Sequence, residues 1–171
     1  SLVSGAQAVN PGASVSYSIN ASTLVDGAIT VSVNATDTAG NATSFGGTAA
    51  TKDTVAPAAA TAAGVNAGAN NAANVVNTFN VAAAAIGVTF GATTLATDTF
   101  DVAVSDGTTT ASSTGNTATP SGTVNVSINL ASLTDAALTV SVTTRDLAGN
   151  TTAFAGTAAT KSKGFVRGGG K

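Results

Sequence analysis

The side chains able to do chemistry in this 171-residue chain are few. There are eight acids, all Asp, and six bases, while Cys, His, Met, Trp and Glu are absent. Without Cys there is no disulfide, zinc finger or thiol nucleophile. Without His there is no Ser–His–Asp triad and no imidazole metal ligand. Without Glu there is no Glu general base, no HExxH helix and no EF-hand loop. What remains is Ser or Thr with Lys, a pair of carboxylates, or a hard-oxygen cation site. Asp98 and Asp101 are near neighbours, as are Asp101 and Asp106. A strand followed by a turn accounts for that spacing, and no general-acid partner stands beside them, so the chain reads as non-catalytic. Lys52 and Lys161 raise the idea of a Lys–Asn isopeptide bond, but both fall at strand ends and no buried acid beside them is evident in the sequence. Asn20, Asn34, Asn41, Asn125 and Asn150 stand in Asn-x-Ser/Thr sequons. With 14 Asn in a chain where 46 of 171 residues are Ser or Thr, chance alone gives about four, so the sequons carry no weight.

Charge and composition narrow the partners. A net charge of −2 with one Tyr and no Trp argues against nucleic acid. No 18-residue apolar run occurs, so no transmembrane segment is expected, and no charged start precedes an apolar signal region. Four of the six bases lie in 161–171. Residues 162–171 read as a Gly-rich basic tail, a solvated end rather than a folded element. The 37 Ala, 30 Thr and 16 Ser leave few strong helix formers, and the Thr and Val content leans towards strands.

The elements that position these residues are revealed by an internal repeat. Residues 14–52 match 123–161 at a constant offset of 109, with 23 identities in 39 positions. Pro11 and Pro120 extend the match. A period of that length suits a tandem β-sandwich domain and not a solenoid. Residues 1–52 then hold the C-terminal half of one unit and 53–161 a complete one. Half a sandwich exposes strand edges and an apolar face. The chain is therefore read either as a fragment or as one completed by strands from another chain.

Within the repeat, Val15, Tyr17 and Ile19 alternate with Ser, and Val124, Val126 and Ile128 alternate with Asn and Ser, predicting a half-buried strand in each copy. Residues 21–27 and 131–136 predict a short helical turn that drops Leu24 and Leu133 into the core. Ile29, Val31, Val33 and Leu138, Val140, Val142 alternate again. Each run ends at Asp-x-Ala-Gly-Asn, Asp37–Asn41 and Asp146–Asn150, which predicts a hairpin turn. A last strand is anchored by Phe45 or Phe154. The complete unit adds Ile86, Val88, Phe90 and Phe100, Val102, Val104, with Asp106-Gly107 as the turn after them. About seven short strands make the expectation an all-β chain of immunoglobulin-like antiparallel β-sandwich modules in tandem.

Thr-Lys-Asp-Thr-Val-Ala-Pro (51–57), Leu-Thr-Val-Ser-Val-Thr-Thr-Arg-Asp (138–146) and both Asp-x-Ala-Gly-Asn turns resemble bacterial Ig-like domains. Those are the tandem modules of giant secreted surface adhesins and biofilm-associated proteins. The resemblance runs from about residue 14 to 161, with two departures: no Trp stands in the strand of Val124 and Val126, and the linker is not repeated after Lys161. It implies an extracellular, cell-surface setting and neighbouring Ig-like domains or identical chains as partners, by strand complementation or end-to-end packing. It also implies calcium at the domain junction, where this topology would bring Asp53, Asp98 and Asp146 towards Asp26 of the preceding unit. Against calcium, the acids are sparse, no DxDxD cluster occurs, and Asp37 and Asp146 serve as turn caps. Two functions from different classes follow. One is a non-catalytic stalk or fibre repeat, a filament-building unit. The other is a binding module whose loops grip a glycan or a host protein.

Overall fold

The structure is a computed structural model that describes residues 2–5, 7–8 and 12–162. The basic tail expected at 162–171 lies outside the described residues beyond Ser162, as does Pro11. The described residues form strands and turns with no helix. They divide into two compact units, Ser1–Thr54 and Val55–Lys171.

Unit 2 contains nine strands: β5 (Ala60–Val65), β6 (Val75–Val76), β7 (Ala84–Phe90), β8 (Thr99–Ser105), β9 (Thr110–Thr117), β10 (Thr123–Ile128), β11 (Ala137–Arg145), β12 (Thr151–Ala155) and β13 (Ala159–Lys161). One sheet has the order β10-β7-β5 and the other β6-β13-β11-β8-β9, with β12 also on β11. All ladders are antiparallel except β6–β13, which is parallel. The period-two alternation produces this arrangement, because it puts an apolar side chain on one face of each strand. Ile86, Val88 and Phe90 of β7, Val126 and Ile128 of β10, Phe100, Val102 and Val104 of β8, and Leu138, Val140 and Val142 of β11 are all buried in a single core. The two sheets therefore close over one interior, as in a β-sandwich. Phe90 and Phe100 meet edge to face at its centre, with ring centroids 5.0 Å apart.

The first strand of the sequence in unit 2 splits between the sheets. β5 pairs with β7, and β6 joins β13 on the opposite sheet. The residues between make only a few backbone bonds, such as Asn66 N to Ala85 O and Asn74 N to Val65 O, and Asn side chains add the rest. Asn71 Nδ2 donates to Asn66 O and Ala72 O, and Asn80 Nδ2 donates to Val75 O. Asn74 sits at φ 58°, a left-handed conformation that Asn tolerates. Gly156 marks the closest backbone approach: a Cβ there would lie 2.8 Å from Ala63 O.

Unit 1 builds the corresponding C-terminal strands: β1 (Gly27–Ile29), β2 (Ser32–Thr36), β3 (Ala42–Gly46) and β4 (Ala50–Lys52). At the offset of 109, β1 and β2 together match β11, β3 matches β12 and β4 matches β13. β1 pairs with β4 and β2 with β3. The expected strand at Val15, Tyr17 and Ile19 does not form; 14–19 makes no ladder. The reason is visible in unit 2, where the matching β10 is hydrogen-bonded to β7 alone. Alternation marks which side chains can be buried, but a strand needs a neighbour to satisfy its amides. The expected helical turns at 21–27 and 131–136 are tight turns instead, closed by Leu24 N to Ala21 O and Leu133 N to Leu130 O. Leu133 does enter the core, while Leu24 is only half-buried.

Candidate functional site

Several charged side chains at loops and strand ends grip the protein's own backbone. Lys161 ends β13. Its Nζ is buried and donates to Leu130 O at 2.9 Å, to Ala131 O at 3.3 Å and to Leu133 O. The tight turn at 130–133 points its carbonyls inward, and the Lys at the end of the adjacent strand reaches them. Lys52 of β4 does the same in unit 1, donating to Ser22 O at 3.2 Å and to Leu24 O. It lies 3.6 Å from Asp26 Oδ1. The acid beside Lys52 is Asp26, which is exposed. Asp26 Oδ2 accepts from Thr54 N and Thr54 Oγ1 at 2.9 and 2.8 Å. The amide and hydroxyl bonds of Thr54, with the positive charge of Lys52, hold the Asp26 carboxyl below its ordinary value.

The two Asp-x-Ala-Gly-Asn turns are built alike. Asp37 accepts from Ala39 N, Asn41 N and Asn41 Nδ2. Asp146 accepts from Asn150 N and Asn150 Nδ2. Gly40 and Gly149 take the positive φ that such a turn requires, 88° and 94°. Asn41 holds the Asp37 carboxyl low. For Asp146 partial burial works to raise the value, but the Asn150 bonds and the turn amides outweigh it and the net shift is down.

Asp106 joins two loops. Oδ1 accepts from Thr108 N and Thr109 N in its own β8–β9 turn, and Oδ2 accepts from Thr134 N at 2.6 Å and Thr134 Oγ1 at 2.9 Å. The three amides, that of Thr109 foremost, push its carboxyl far below the carboxylate range. The sequence marks Asp106 only as a turn residue. Its bridge to Thr134 had no signal in the repeat, since the matching position in unit 1 is Val25. Asp101, its neighbour in sequence, accepts instead from Gly115 N at 2.8 Å, next to an irregularity in the β8–β9 ladder.

The four Asp of the calcium expectation fall into both units. Asp26 and Asp53 belong to unit 1, Asp98 and Asp146 to unit 2. Asp53 is exposed at the end of β4. Asp98 is buried in the loop before β8, with Oδ2 accepting from Leu95 N at 3.0 Å and Oδ1 buried without a hydrogen-bond partner, as are the hydroxyls of Thr94 and Thr144. Among the described residues no three acidic side chains gather to hold a metal. The carboxyl oxygens of Asp26 and Asp146 are taken up by Lys52, Thr54 and Asn150. Ca²⁺ needs six to eight oxygens, and the donors within either unit are arranged to hold loops. Among the described residues no helix is long and apolar enough to cross a membrane.

The Asp106 geometry sets an acid response. Its folded value lies below the ordinary 3.8. As pH falls, the unfolded chain therefore takes up the proton first. The stability from Asp106 is full above 3.8 and is lost as acid carries the pH down through the folded value. Thermal unfolding followed from pH 7 to pH 2 is expected to show the midpoint falling below about pH 4. In Asp106→Asn the midpoint at pH 7 is expected to be lower and the acid limb shallower. An unchanged acid limb would remove Asp106 from that account.

No protein-family model, curated protein or solved structure matches the chain.

Proposed function

We propose that the chain is a non-catalytic structural segment of an extracellular bacterial surface or fibre protein, built from Ig-like modules that act as a stalk. The observation that carries this reading is the same lock in both units: a Lys at the end of the last strand, threaded into the carbonyls of the turn 28–31 residues earlier. Lys52, Lys161, Asp26, Asp37, Asp106 and Asp146 hold the backbone, and the Lys lock and the Asp turn recur 109 residues apart. The strand order of unit 2, three strands facing a larger sheet with its first and last strands parallel, suits an Ig-like module.

That parallel pair also suits load. Thr160 N donates to Asn74 O and Ser162 N to Val76 O, both at 2.9 Å. A pull on the two ends of unit 2 loads the β5–β7 ladder first and then draws β6 and β13 in opposite directions, so the β6–β13 bonds resist in shear. Single-molecule stretching of the chain is expected to show one discrete rupture releasing about 35 nm, roughly 100 residues at ~3.5 Å each. Gradual lengthening without a force peak would overturn the mechanical reading.

A further inference from the structure

The core of unit 2 ends in a polar layer. Leu138, Val140, Val142 and Thr144 of β11 point inwards in turn, and Thr144 is 0% exposed. It stands opposite Phe100 of β8 and Thr152 of β12. Asp98 precedes Phe100 by two residues, so it shares the inward side and is the diagonal neighbour of Thr144 across the ladder. Asp98 is 1% exposed, as is Thr94 in the loop from β7 to β8. Leu95 N donates to Asp98 Oδ2 at 3.0 Å, and Asp98 N donates to Leu95 O at 3.1 Å. Those two bonds fold the loop onto Asp98 and keep Thr94, the residue before Leu95, at the same end of the core.

The Thr152 hydroxyl in this layer is taken, donating to Pro57 O at 2.6 Å. Three other oxygens are not. Thr94 Oγ1, Asp98 Oδ1 and Thr144 Oγ1 are buried and bond to no protein atom. Among the described residues, every buried side-chain oxygen in that condition falls in this one layer. Polar atoms shut into a core are destabilising unless something satisfies them, and internal water commonly does.

We infer that unit 2 holds one internal water molecule between the β7–β8 loop and β11, bonded to Thr94, Asp98 and Thr144. The donor count selects water over a cation. A carboxylate oxygen only accepts, whereas a hydroxyl donates and accepts. One water takes the protons of both hydroxyls and gives one of its own to Asp98 Oδ1. That makes three bonds, the usual number for a buried water. Ca²⁺ needs six to eight oxygens where these side chains offer three, and it accepts neither hydroxyl proton. The water ties the loop to the end of β11. It also commits Asp98 to the interior and not to an outside ion. The inference stands on unit 2 alone and does not depend on the stalk reading.

Oxygen-17 relaxation dispersion of the full chain tests it, by counting waters that stay longer than the molecule takes to tumble. Thr94→Val/Thr144→Val leaves the water one partner of three, and the count is expected to fall by one. Thr144→Val alone is expected to let that water exchange at least tenfold faster, while Thr144→Ser keeps it. The single variant serves where the double one does not fold. Unit 1 has Ala35 at the matching position, inside β2, so a strand forms there without the hydroxyl. A parent chain with no long-lived water would overturn the proposal. So would an equal count and exchange rate in the parent and the valine variants. A parent chain that loses one water when CaCl₂ is added would overturn it too, because a cation would then hold these oxygens.

Discussion

Lys161→Met is expected to destabilise unit 2 by roughly 3–5 kcal/mol. The side chain is almost fully buried and its Nζ serves the carbonyls of Leu130, Ala131 and Leu133. Met fills much of the same space but donates nothing, so Ala131 O and Leu133 O lose this donor and Leu130 O keeps only Leu133 N, and a buried acceptor left unpaired costs about 1–3 kcal/mol. For a unit of roughly 100 residues, that lowers the melting midpoint by about 15–25 °C. Circular dichroism reads the whole chain, whereas tyrosine emission reads unit 1. In Lys161→Met the dichroism transition should move while the Tyr17 signal stays. In Lys52→Met the Tyr17 signal should change and the main transition stay. A shift of less than about 1 kcal/mol in Lys161→Met would mean that water or a rearranged turn satisfies the carbonyls, and the lock would lose its standing as a structural device.

Phe100→Ala is expected to cost about as much, roughly 3–5 kcal/mol, for a different reason. The ring is buried, lies between the two sheets and meets Phe90 at 61° between planes. Much of the core is Val and Ala, so few neighbouring side chains are long enough to fill the space it leaves. Part of the loss is the edge-to-face contact, about 0.5–1.5 kcal/mol; most is the cavity. Phe45→Ala is the internal control. Phe45 occupies the unit 1 counterpart of Phe154 and is 67% exposed, so its removal should move stability by no more than about 0.5 kcal/mol. Denaturant titration of the two variants checks both numbers. Equal losses would mean that unit 1 is packed against a partner in solution.

What could be read from the sequence depended on whether the physics was local. β7, β8 and β11 were legible because alternation over five or more residues is a property of the strand itself, and burial followed it residue by residue. The Asp-x-Ala-Gly-Asn turns were legible because an Asp, a Gly and an Asn fix the loop without outside help. The strand at 14–19 was misjudged because its alternation is real but its hydrogen-bonding neighbour is missing. β6 escaped notice: two Val residues among Asn give no period, and the strand exists through its parallel pairing with β13. The buried Lys161 ran against expectation, since Lys is rarely buried, although the repeated Thr-Ala-Ala-Thr-Lys was a visible signal that the position mattered. The bridge from Asp106 to Thr134 joins loops 28 residues apart and left no trace in the repeat.

The β6–β13 pairing also fixes an order of events. Val75 and Thr160 are partners 85 positions apart in the chain, and contacts of such separation form slowly. In a polypeptide that emerges N-terminus first, β5, β7 and β8 are out long before β13. Unit 2 cannot seal until Lys161 has emerged and found its turn. Until then β6 has no companion and the apolar sides of β7 and β8 face solvent, in the state most exposed to pairing with the wrong strand. The last residues to arrive close both the sheet and the turn. A nascent chain whose Lys161 is still inside the ribosome should therefore be cut readily by protease, and one extended far enough for Lys161 to clear the ribosome should resist.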